Sequence, residues 1–116
     1  MKESIIKDKS KSFALRIIKL YKYLTCTAEQ KEYVLSKQVL RSGTSIGANV
    51  KEALRGQSRP DFRAKMNIAL KEASETEYWL ELLFEAEYID KQSFDSIIED
   101  NKELLKILTS IVKTTE

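Results

Sequence analysis

The sequence predicts an all-α fold, an antiparallel up-and-down four-helix bundle that forms a single domain over residues 1–116. Apolar residues recur at three- and four-residue spacing in four separate segments, as they do on the buried faces of amphipathic helices. The chain contains only 3 Gly and 1 Pro, too few turn-forming residues for a fold of many short strands. Short connections between four helices favour antiparallel neighbours, and therefore a bundle.

The first helix is predicted from about Lys7 to Leu24, with an apolar stripe that includes Phe13 and Ile17. Soon after it, Thr27-Ala28-Glu29-Gln30 has the pattern of a capping box, in which a hydroxyl and an amide satisfy free backbone N–H groups. This pattern predicts that the second helix begins near Glu29.

The second helix is predicted to run from about Glu29 to Arg55, and Gly56 is expected to end it in a left-handed conformation. Gly43 and Gly47 lie four residues apart on one face of this helix. Each glycine costs a helix about 1 kcal/mol relative to alanine, so we expect close packing against another helix as compensation. The alternative is a Gly/Ser/Thr turn that divides the helix in two.

The third helix is predicted to begin at Ser58-Arg59-Pro60-Asp61, a second capping box with proline in the first turn. Its apolar stripe follows alternating steps of four and three from Phe62 to Leu83. Asp90 is predicted to cap the fourth helix. The second and third helices would each have about 27 residues, and the other two would be shorter.

The composition lacks most of the side chains that support catalysis. The chain has no His, the commonest general base and metal ligand, and its one Cys, Cys26, allows neither an internal disulfide nor a cysteine zinc site. No apolar run reaches the roughly 18 residues that cross a bilayer, and the polar N-terminus lacks the apolar middle of a signal peptide. We therefore expect a cytoplasmic protein that is not an enzyme and uses no cofactor, metal or membrane.

The two halves of the chain differ in charge. Residues 1–65 carry 15 Lys and Arg against 6 Asp and Glu, whereas residues 66–116 carry 5 against 12. The asymmetry predicts either a basic binding face or basic helices that acidic helices neutralise within the bundle. Clustered cations bind nucleic-acid phosphates with release of counterions. The candidate nucleic-acid contacts are Lys51, Arg55, Arg59 and Arg63, at four-residue spacing, with Arg16 and Lys19 on the first helix.

A second apolar stripe on the third helix comprises Ile68, Trp79 and Leu82. Either this helix is buried on two sides within one bundle, or the stripe contacts another subunit. Aromatic residues are enriched at interface cores, which favours an oligomer interface.

Asn49 lies on the core stripe of the second helix, where a buried amide needs hydrogen-bond partners. Glu52, Glu72 and Glu75 are candidate partners in one polar network, unless they face solvent. The same glutamates could suggest a carboxylate-bridged metal site, but such bundles complete the site with Glu-x-x-His motifs. Because the chain has no His, we expect the polar network to be structural.

The stretch 38–53, QVLRSGTSIGANVKEA, resembles the signature of the four-helix-bundle proteins encoded in 23S rRNA intervening sequences. Its Arg-Ser-x-x-Ser-Ile-x-Ala-Asn core is fairly specific, and the resemblance covers nearly the whole chain. The matching downstream residues are Ser58, Phe62, Ala69, Glu72, Glu75, Leu80 and Leu83, followed by Tyr88-Ile89. The chain is similar also to the accessory variability determinant proteins of diversity-generating retroelements.

The resemblance implies a bundle that assembles into a homopentameric barrel. The retroelement proteins are basic scaffolds that bind nucleic acid and a reverse transcriptase, whereas the intervening-sequence proteins have an undefined role. By match to the signature, the characteristic polar residues are Arg41, Ser42, Ser45, Asn49, Glu52, Glu72 and Glu75, with an implied structural role. Gly47 and Leu54 depart from the usual Pro and Gly, so we expect a straighter second helix. The net charge of only +2 departs from a strongly basic scaffold.

These observations predict a non-enzymatic, oligomeric helical-bundle scaffold that binds RNA or DNA through its basic N-terminal half. The alternative is a protein–protein interaction scaffold that binds no nucleic acid. The two differ in whether the cations of residues 1–65 face solvent or pair with the acidic half of the chain.

Overall fold

The computed structural model describes residues 1–27 and 31–115. It contains four helices, α1 (Lys2–Cys26), α2 (Leu35–Leu54), α3 (Arg59–Glu85) and α4 (Lys91–Thr114). They form a rod of 48 × 21 × 19 Å. Each helix packs against the next in the order α1, α2, α3, α4, and α4 packs against α1, so that α1 and α3 lie diagonally opposite. Consecutive helices run antiparallel, which confirms the predicted four-helix bundle.

The apolar stripes meet in one core along the axis of the rod. Phe13, Ile17 and Leu24 of α1 are at most 2% exposed, and they pack with the stripes of the other three helices. Helix α1 begins five residues earlier than predicted because the fully buried Ile6 continues its stripe one heptad before Phe13.

Helix α2 begins at Leu35, and the predicted start at Glu29 is wrong. The carboxylate of Glu32 accepts hydrogen bonds from the backbone N–H groups of Val34, Leu35 and Ser36 at 2.7–3.0 Å. The Ser36 hydroxyl in turn donates to the Glu32 carbonyl at 2.7 Å. One side chain therefore satisfies the N–H groups that a helix start leaves without partners. As a result α2 has 20 residues, fewer than α1 or α4, contrary to the predicted order of lengths.

The predicted capping box before α2 falls largely on residues 28–30, which lie outside the described residues. Its first residue, Thr27, donates its hydroxyl to the Tyr23 carbonyl at 2.8 Å and so closes the last turn of α1. Of the four residues of this predicted box, the structure describes Thr27, and Thr27 belongs to the end of α1.

The predicted caps of α3 and α4 are confirmed. The Ser58 hydroxyl accepts a hydrogen bond from the Asp61 N–H at 3.2 Å. The Asp90 carboxylate accepts one from the Ser93 N–H at 2.7 Å, and this bond holds the pKa of Asp90 below its usual value. Each cap satisfies one free donor in the first turn of its helix.

Gly56 follows the end of α2, but its backbone does not have the predicted left-handed conformation. Its N–H donates to the Ala53 carbonyl at 3.0 Å. A Cβ at this position would lie 2.6 Å from a carboxylate oxygen of Asp61 and 3.0 Å from the Ala53 carbonyl oxygen. Glycine therefore fits the limited space of the tight turn between α2 and α3, where a larger residue would have to displace the Asp61 carboxylate.

Gly43 and Gly47 bring α2 close to α1 within an unbroken helix, so the close-packing prediction is confirmed and the alternative of a turn is wrong. A Cβ on Gly43 would lie 2.8 Å from Cγ1 and 2.9 Å from Cγ2 of Ile17. A Cβ on Gly47 would lie 3.4 Å from the Ser10 carbonyl oxygen. The two positions differ in distance: a Cβ on Gly43 would overlap the buried Ile17 side chain, whereas a Cβ on Gly47 would make ordinary van der Waals contacts with Ser10.

Candidate functional site

The polar residues of the signature lie along the contact between α2 and α3. The hydroxyls of Ser42 and Thr76 are 2.8 Å apart, and both residues are fully buried. On the residue before Ser42, the half-exposed guanidinium of Arg41 contacts the carboxylates of Glu75 and Glu72. The buried Oε1 of Glu72 lies 3.5 Å from Nη1 of Arg41, outside hydrogen-bond geometry. These groups join α2 to α3 by polar contacts between side chains.

Toward the turn that joins α2 to α3, Glu52 and Lys65 form a further ion pair at 3.0 Å. The hydrogen bond and charge of the Glu52 carboxylate raise the pKa of Lys65. This pair lies at the solvent-exposed edge of the contact, where an ion pair contributes little to stability.

Asn49 and Ser45 make their hydrogen bonds within α2. The amide of the half-buried Asn49 donates to the Ser45 carbonyl at 2.9 Å, and the Ser45 hydroxyl donates to the Arg41 carbonyl at 2.6 Å. The seven signature residues therefore form separate groups along the α2–α3 contact, and Asn49 is satisfied locally.

Four of the six candidate nucleic-acid contacts lie on the ends of α2 and α3 that flank the turn between these helices. Lys51 and Arg55 border an open depression at this end of the bundle. Arg59 and Arg63 donate to carbonyl oxygens at the end of α4, those of Thr114 at 3.5 Å and Val112 at 3.2 Å. We call Lys51, Arg55, Arg59 and Arg63 the basic end of the bundle.

The other two candidates lie apart from the basic end, on the side where α1 meets α4. Arg16 donates to the Asp100 carboxylate at 2.7 Å and to the Ser96 hydroxyl at 3.0 Å. Lys19 borders a second depression near the start of α4. Arg16 is thus held within the bundle, and Lys19 faces a different surface from the basic end.

The second apolar stripe of α3 is divided between the core and the surface. Trp79 is partly buried and packs against the core of its own bundle, and its indole N–H is buried without an acceptor among the described residues. Leu82 is half-buried, and Ile68 is 40% exposed. Tyr78, 54% exposed, packs edge-to-face on Trp79 with ring centroids 5.2 Å apart.

Two buried polar residues extend the α2–α3 and α3–α4 contacts beyond the sequence prediction. Thr76 is one of the positions of the stripe from Phe62 to Leu83 that was predicted to be apolar. Its hydroxyl instead forms a hydrogen bond with the hydroxyl of Ser42. Asn101 is fully buried, and its amide donates to the Ala73 carbonyl at 3.2 Å. Its position four residues after Ile97 and three before Leu104 is the signal that could have identified it.

The chemistry available at these sites is limited. Residues 1–27 and 31–115 contain no group of three or more His, Cys, Asp or Glu side chains that could hold a metal ion. Within the same residues, no helix is both long and apolar enough to cross a membrane. Cys26 is a free, exposed thiol at the end of α1.

The fold defines an all-α, up-and-down four-helix-bundle protein with a polar contact between its second and third helices. The family model of the 23S rRNA-intervening sequence protein matches residues 2–110, and the chain belongs to this family. It is similar to a crystal structure of a protein of unknown function from the S23 ribosomal protein family of Bacteroides thetaiotaomicron. The two are 60% identical over 97% of this chain and 99% of the other, with a TM-score of 0.93. Among curated proteins, none matches the chain. Neither the family nor the similar structure indicates an enzyme.

Proposed function

We propose that this protein is a non-enzymatic, homo-oligomeric scaffold in the cytoplasm that binds RNA or DNA through the basic end of the bundle. The observation that carries the proposal is the charge of the α2–α3 turn. Residues 51–65 contain five Lys and Arg against two Asp and Glu, and one of these acids is paired with Lys65. An excess of cations over acids in one short segment is the electrostatic footprint of phosphate binding.

The form of the basic end supports contact with a phosphate backbone. Lys51 and Arg55 are exposed and form no ion pair within the described residues. Arg59 and Arg63 donate to carbonyl oxygens at the end of α4, which orients their guanidinium groups. Two exposed and two anchored cations would contact several phosphates without reading the identity of the bases.

Homo-oligomerisation, with five subunits as the resemblance implies, would multiply this surface. In a ring whose axis runs along the bundles, the α2–α3 turns of all copies point to the same end of the ring. Basic ends that bind weakly one by one would then act together on one nucleic-acid chain through a high effective concentration.

A second function, a protein–protein interaction scaffold without nucleic-acid binding, has support from the ion pairs between helices. Arg16 pairs with Asp100, Lys9 pairs with Glu103, and Arg41 contacts Glu75. In each pair a cation of the basic half neutralises an acid of the acidic half within the same bundle. Lys51 and Arg55, which form no ion pair within the described residues, are the cations on which the two functions differ.

Binding of a structured RNA and of a DNA duplex, titrated with salt, tests the proposal. The variant Lys51→Gln/Arg55→Gln removes two exposed charges that make no ion pair within the described residues. If both cations contact phosphates, the slope of log K against log salt falls by about 2, and affinity at low salt falls at least tenfold. Circular dichroism and thermal unfolding show whether the variant remains folded.

The matched control is Lys102→Gln/Lys106→Gln, which removes the same charge from the exposed side of α4. We expect this control to bind with nearly the wild-type salt slope. Absence of binding by the wild-type protein at low salt overturns the nucleic-acid function and favours the protein–protein scaffold. Equal weakening by both variants shows that binding depends on net charge and overturns the assignment of the basic end.

A further inference from the structure

We propose that the nucleic acid bound by this protein is a double helix, and that it lies along the side of the bundle formed by α1 and α2. This inference rests on the nucleic-acid binding proposed above, and it extends that site from the basic end along the length of the rod. Five exposed lysines form this surface, which we call the basic side. They are Lys7, Lys11 and Lys22 of α1 with Lys37 and Lys51 of α2.

The charge of the bundle differs between its two pairs of helices. Helices α1 and α2 contain ten Lys and Arg against three Asp and Glu, whereas α3 and α4 contain eight against ten. Because α1 packs against α2 and α3 against α4, the unequal charge of the two halves of the sequence becomes an unequal charge of two sides of one rod. A surface of one sign that extends along a rod attracts an extended partner of the opposite sign.

Helical spacing directs the lysines of the basic side away from the acids of α4. Lys9 and Arg16 mark the flank of α1 that faces α4, where they pair with two carboxylates. At 3.6 residues per turn, Lys7 and Lys11 lie on the other flank, next to α2. Within residues 1–27 and 31–115, none of the five lysines forms an ion pair. Their charges are therefore available to a partner.

The outer surface of α2 is low between the two lysines that it contributes. The short side chains of Thr44 and Ala48 lie there at helical spacing. The guanidinium of Arg41, on the same line, contacts Glu75 and is thereby directed toward α3. A nucleic-acid backbone can therefore approach this helix closely between the two lysines.

The contact between α1 and α2 sets the relative heights of their residues along the rod. Gly47 of α2 approaches Ser10 of α1, and Gly43 approaches Ile17. The two helices are antiparallel and rise equally per residue. Residues of α1 and α2 whose numbers add to about 58 are therefore level, to within about two residues or about 3 Å.

These heights group the lysines into two clusters along the basic side. Lys7 is level with Lys51 near the basic end, and Lys22 is level with Lys37 near the other end. The clusters are 14 or 15 residues apart along each helix, or about 21 Å. A DNA duplex with a rise of about 3.4 Å per base pair covers that distance with about six base pairs. One duplex can therefore present phosphates to both clusters at once.

The positions of the exposed aromatic side chains favour a duplex over a single strand. Proteins that bind single strands stack successive bases on aromatic rings. The exposed aromatic side chains of residues 1–27 and 31–115 are Tyr23, Tyr33 and Tyr78. Tyr23 borders the start of α4, Tyr78 lies on α3, and Tyr33 precedes α2, beyond the last lysine of the basic side. The basic side thus offers charge for a phosphate backbone without rings between its cations.

Salt-titrated binding to a DNA duplex, to the RNA duplex of the same sequence and to one of the single strands tests the assignment. The variant Lys22→Gln/Lys37→Gln removes the far cluster, which lies about 21 Å from Lys51. This distance exceeds the Debye length of about 10 Å at 0.1 M salt, so the variant does not act through the basic end. If the duplex lies along the basic side, the slope of log K against log salt falls by about 2, and affinity at low salt falls at least tenfold.

The control for net charge is Lys102→Gln/Lys106→Gln on α4, which we expect to keep the wild-type salt slope. Equal weakening by the control and the far-cluster variant overturns the basic side. The far-cluster variant should keep the wild-type solution mass in light scattering, and a lower mass would assign these lysines to a subunit contact and overturn their role in binding. Lys and Gln have similar helix propensities, so we expect a wild-type circular dichroism spectrum. Should the variant fold poorly, Lys11→Gln/Lys22→Gln tests the same side from α1 alone.

The outcomes separate this inference from the function on which it rests. A far-cluster variant that binds like the wild type, while Lys51→Gln/Arg55→Gln binds weakly, overturns the basic side and leaves the basic end as the site. Absence of any binding by the wild type at low salt overturns the proposed function itself.

The three ligands test the class of nucleic acid. We expect both duplexes to bind at least tenfold more tightly than the single strand at the same salt, because a duplex has the higher density of phosphate charge. A single strand that binds as tightly as the duplexes overturns the assignment of a double helix. The tighter of the two duplexes identifies whether the basic side prefers RNA or DNA.

Discussion

Helix α2 packs against its two neighbours by different physical means. Against α1 it presents Gly43, whose missing side chain leaves space for Ile17. Against α3 it presents the Ser42 hydroxyl and the Arg41 guanidinium, which meet polar groups. The α1–α2 contact depends on shape and the α2–α3 contact depends on polar pairing. The first should therefore respond to added volume, and the second to the loss of one partner.

The largest effect is expected from Gly43→Ala compared with Gly47→Ala. Both substitutions gain about 1 kcal/mol of helix propensity, so this gain cancels in the comparison. The added methyl at 43 meets two γ-carbons of the buried Ile17 at under 3 Å, whereas the methyl at 47 makes near-ordinary contacts with Ser10. We expect Gly43→Ala to destabilise the protein by about 2 kcal/mol and Gly47→Ala to be neutral or stabilising.

Chemical denaturation of both glycine variants measures this difference in the free energy of unfolding. In an Ile17→Ala background, which removes the opposing γ-carbons, the penalty of Gly43→Ala should disappear. Equal stabilities of the two alanine variants would contradict a contact determined by shape.

The next effect is expected at the polar contact, from Thr76→Val. The substitution keeps the shape of the side chain but leaves the buried Ser42 hydroxyl without its partner, at a cost of about 1–3 kcal/mol. The variant Ser42→Ala/Thr76→Val should recover much of this loss because neither polar group remains. A double-mutant cycle measures the coupling, and additive effects would show that the two hydroxyls do not act as a pair.

A smaller effect is expected from Arg41→Gln. The guanidinium is 52% exposed, so its contacts with Glu72 and Glu75 should contribute no more than about 1 kcal/mol. The contribution should shrink in high salt, because the charges are only partly buried. Unfolding free energies of the wild type and the variant at low and high salt test this, and a salt-independent loss would indicate a packing role for the arginine stem.

The smallest effect is expected at the start of α4, where Asp90 caps the helix. The hydrogen bond from Ser93 lowers the pKa of Asp90 in the folded protein, so this carboxylate stabilises the fold above the unfolded-state pKa of about 4. The contribution is lost as the pH falls through the lower, folded-state pKa. The stability difference between the wild type and Asp90→Asn should therefore shrink in acid, and a constant difference from pH 2 to pH 7 would contradict the role of charge.

The sequence predicted the parts of this structure that local rules determine. Periodic apolar residues located all four helices, and Ser58 and Asp90 marked two helix starts because capping requires side chains at fixed offsets. The start of α2 could not be predicted in this way. Glu32 reaches forward to three N–H groups from outside the helix, and no capping rule assigns this role to a glutamate three residues before the first helical position.

The candidate sites were less predictable because they depend on which helices become neighbours. The spacing of Arg55, Arg59 and Arg63 suggested one basic group. All three flank the α2–α3 turn, but Arg59 and Arg63 reach the end of α4, whereas Arg55 borders a separate depression. Arg16 carries the same charge, yet the antiparallel pairing of α1 with α4 provides it with Asp100. A one-dimensional pattern cannot distinguish an arginine that faces solvent from one that faces a carboxylate.

The close approach of Gly43 to Ile17 has a consequence for the evolution of the family. A relative that carries Ala or Ser at position 43 needs a smaller or differently branched side chain at position 17, since the intervening space holds no further carbon atom. The two positions should therefore change together among homologues, and single changes at either one should be rare.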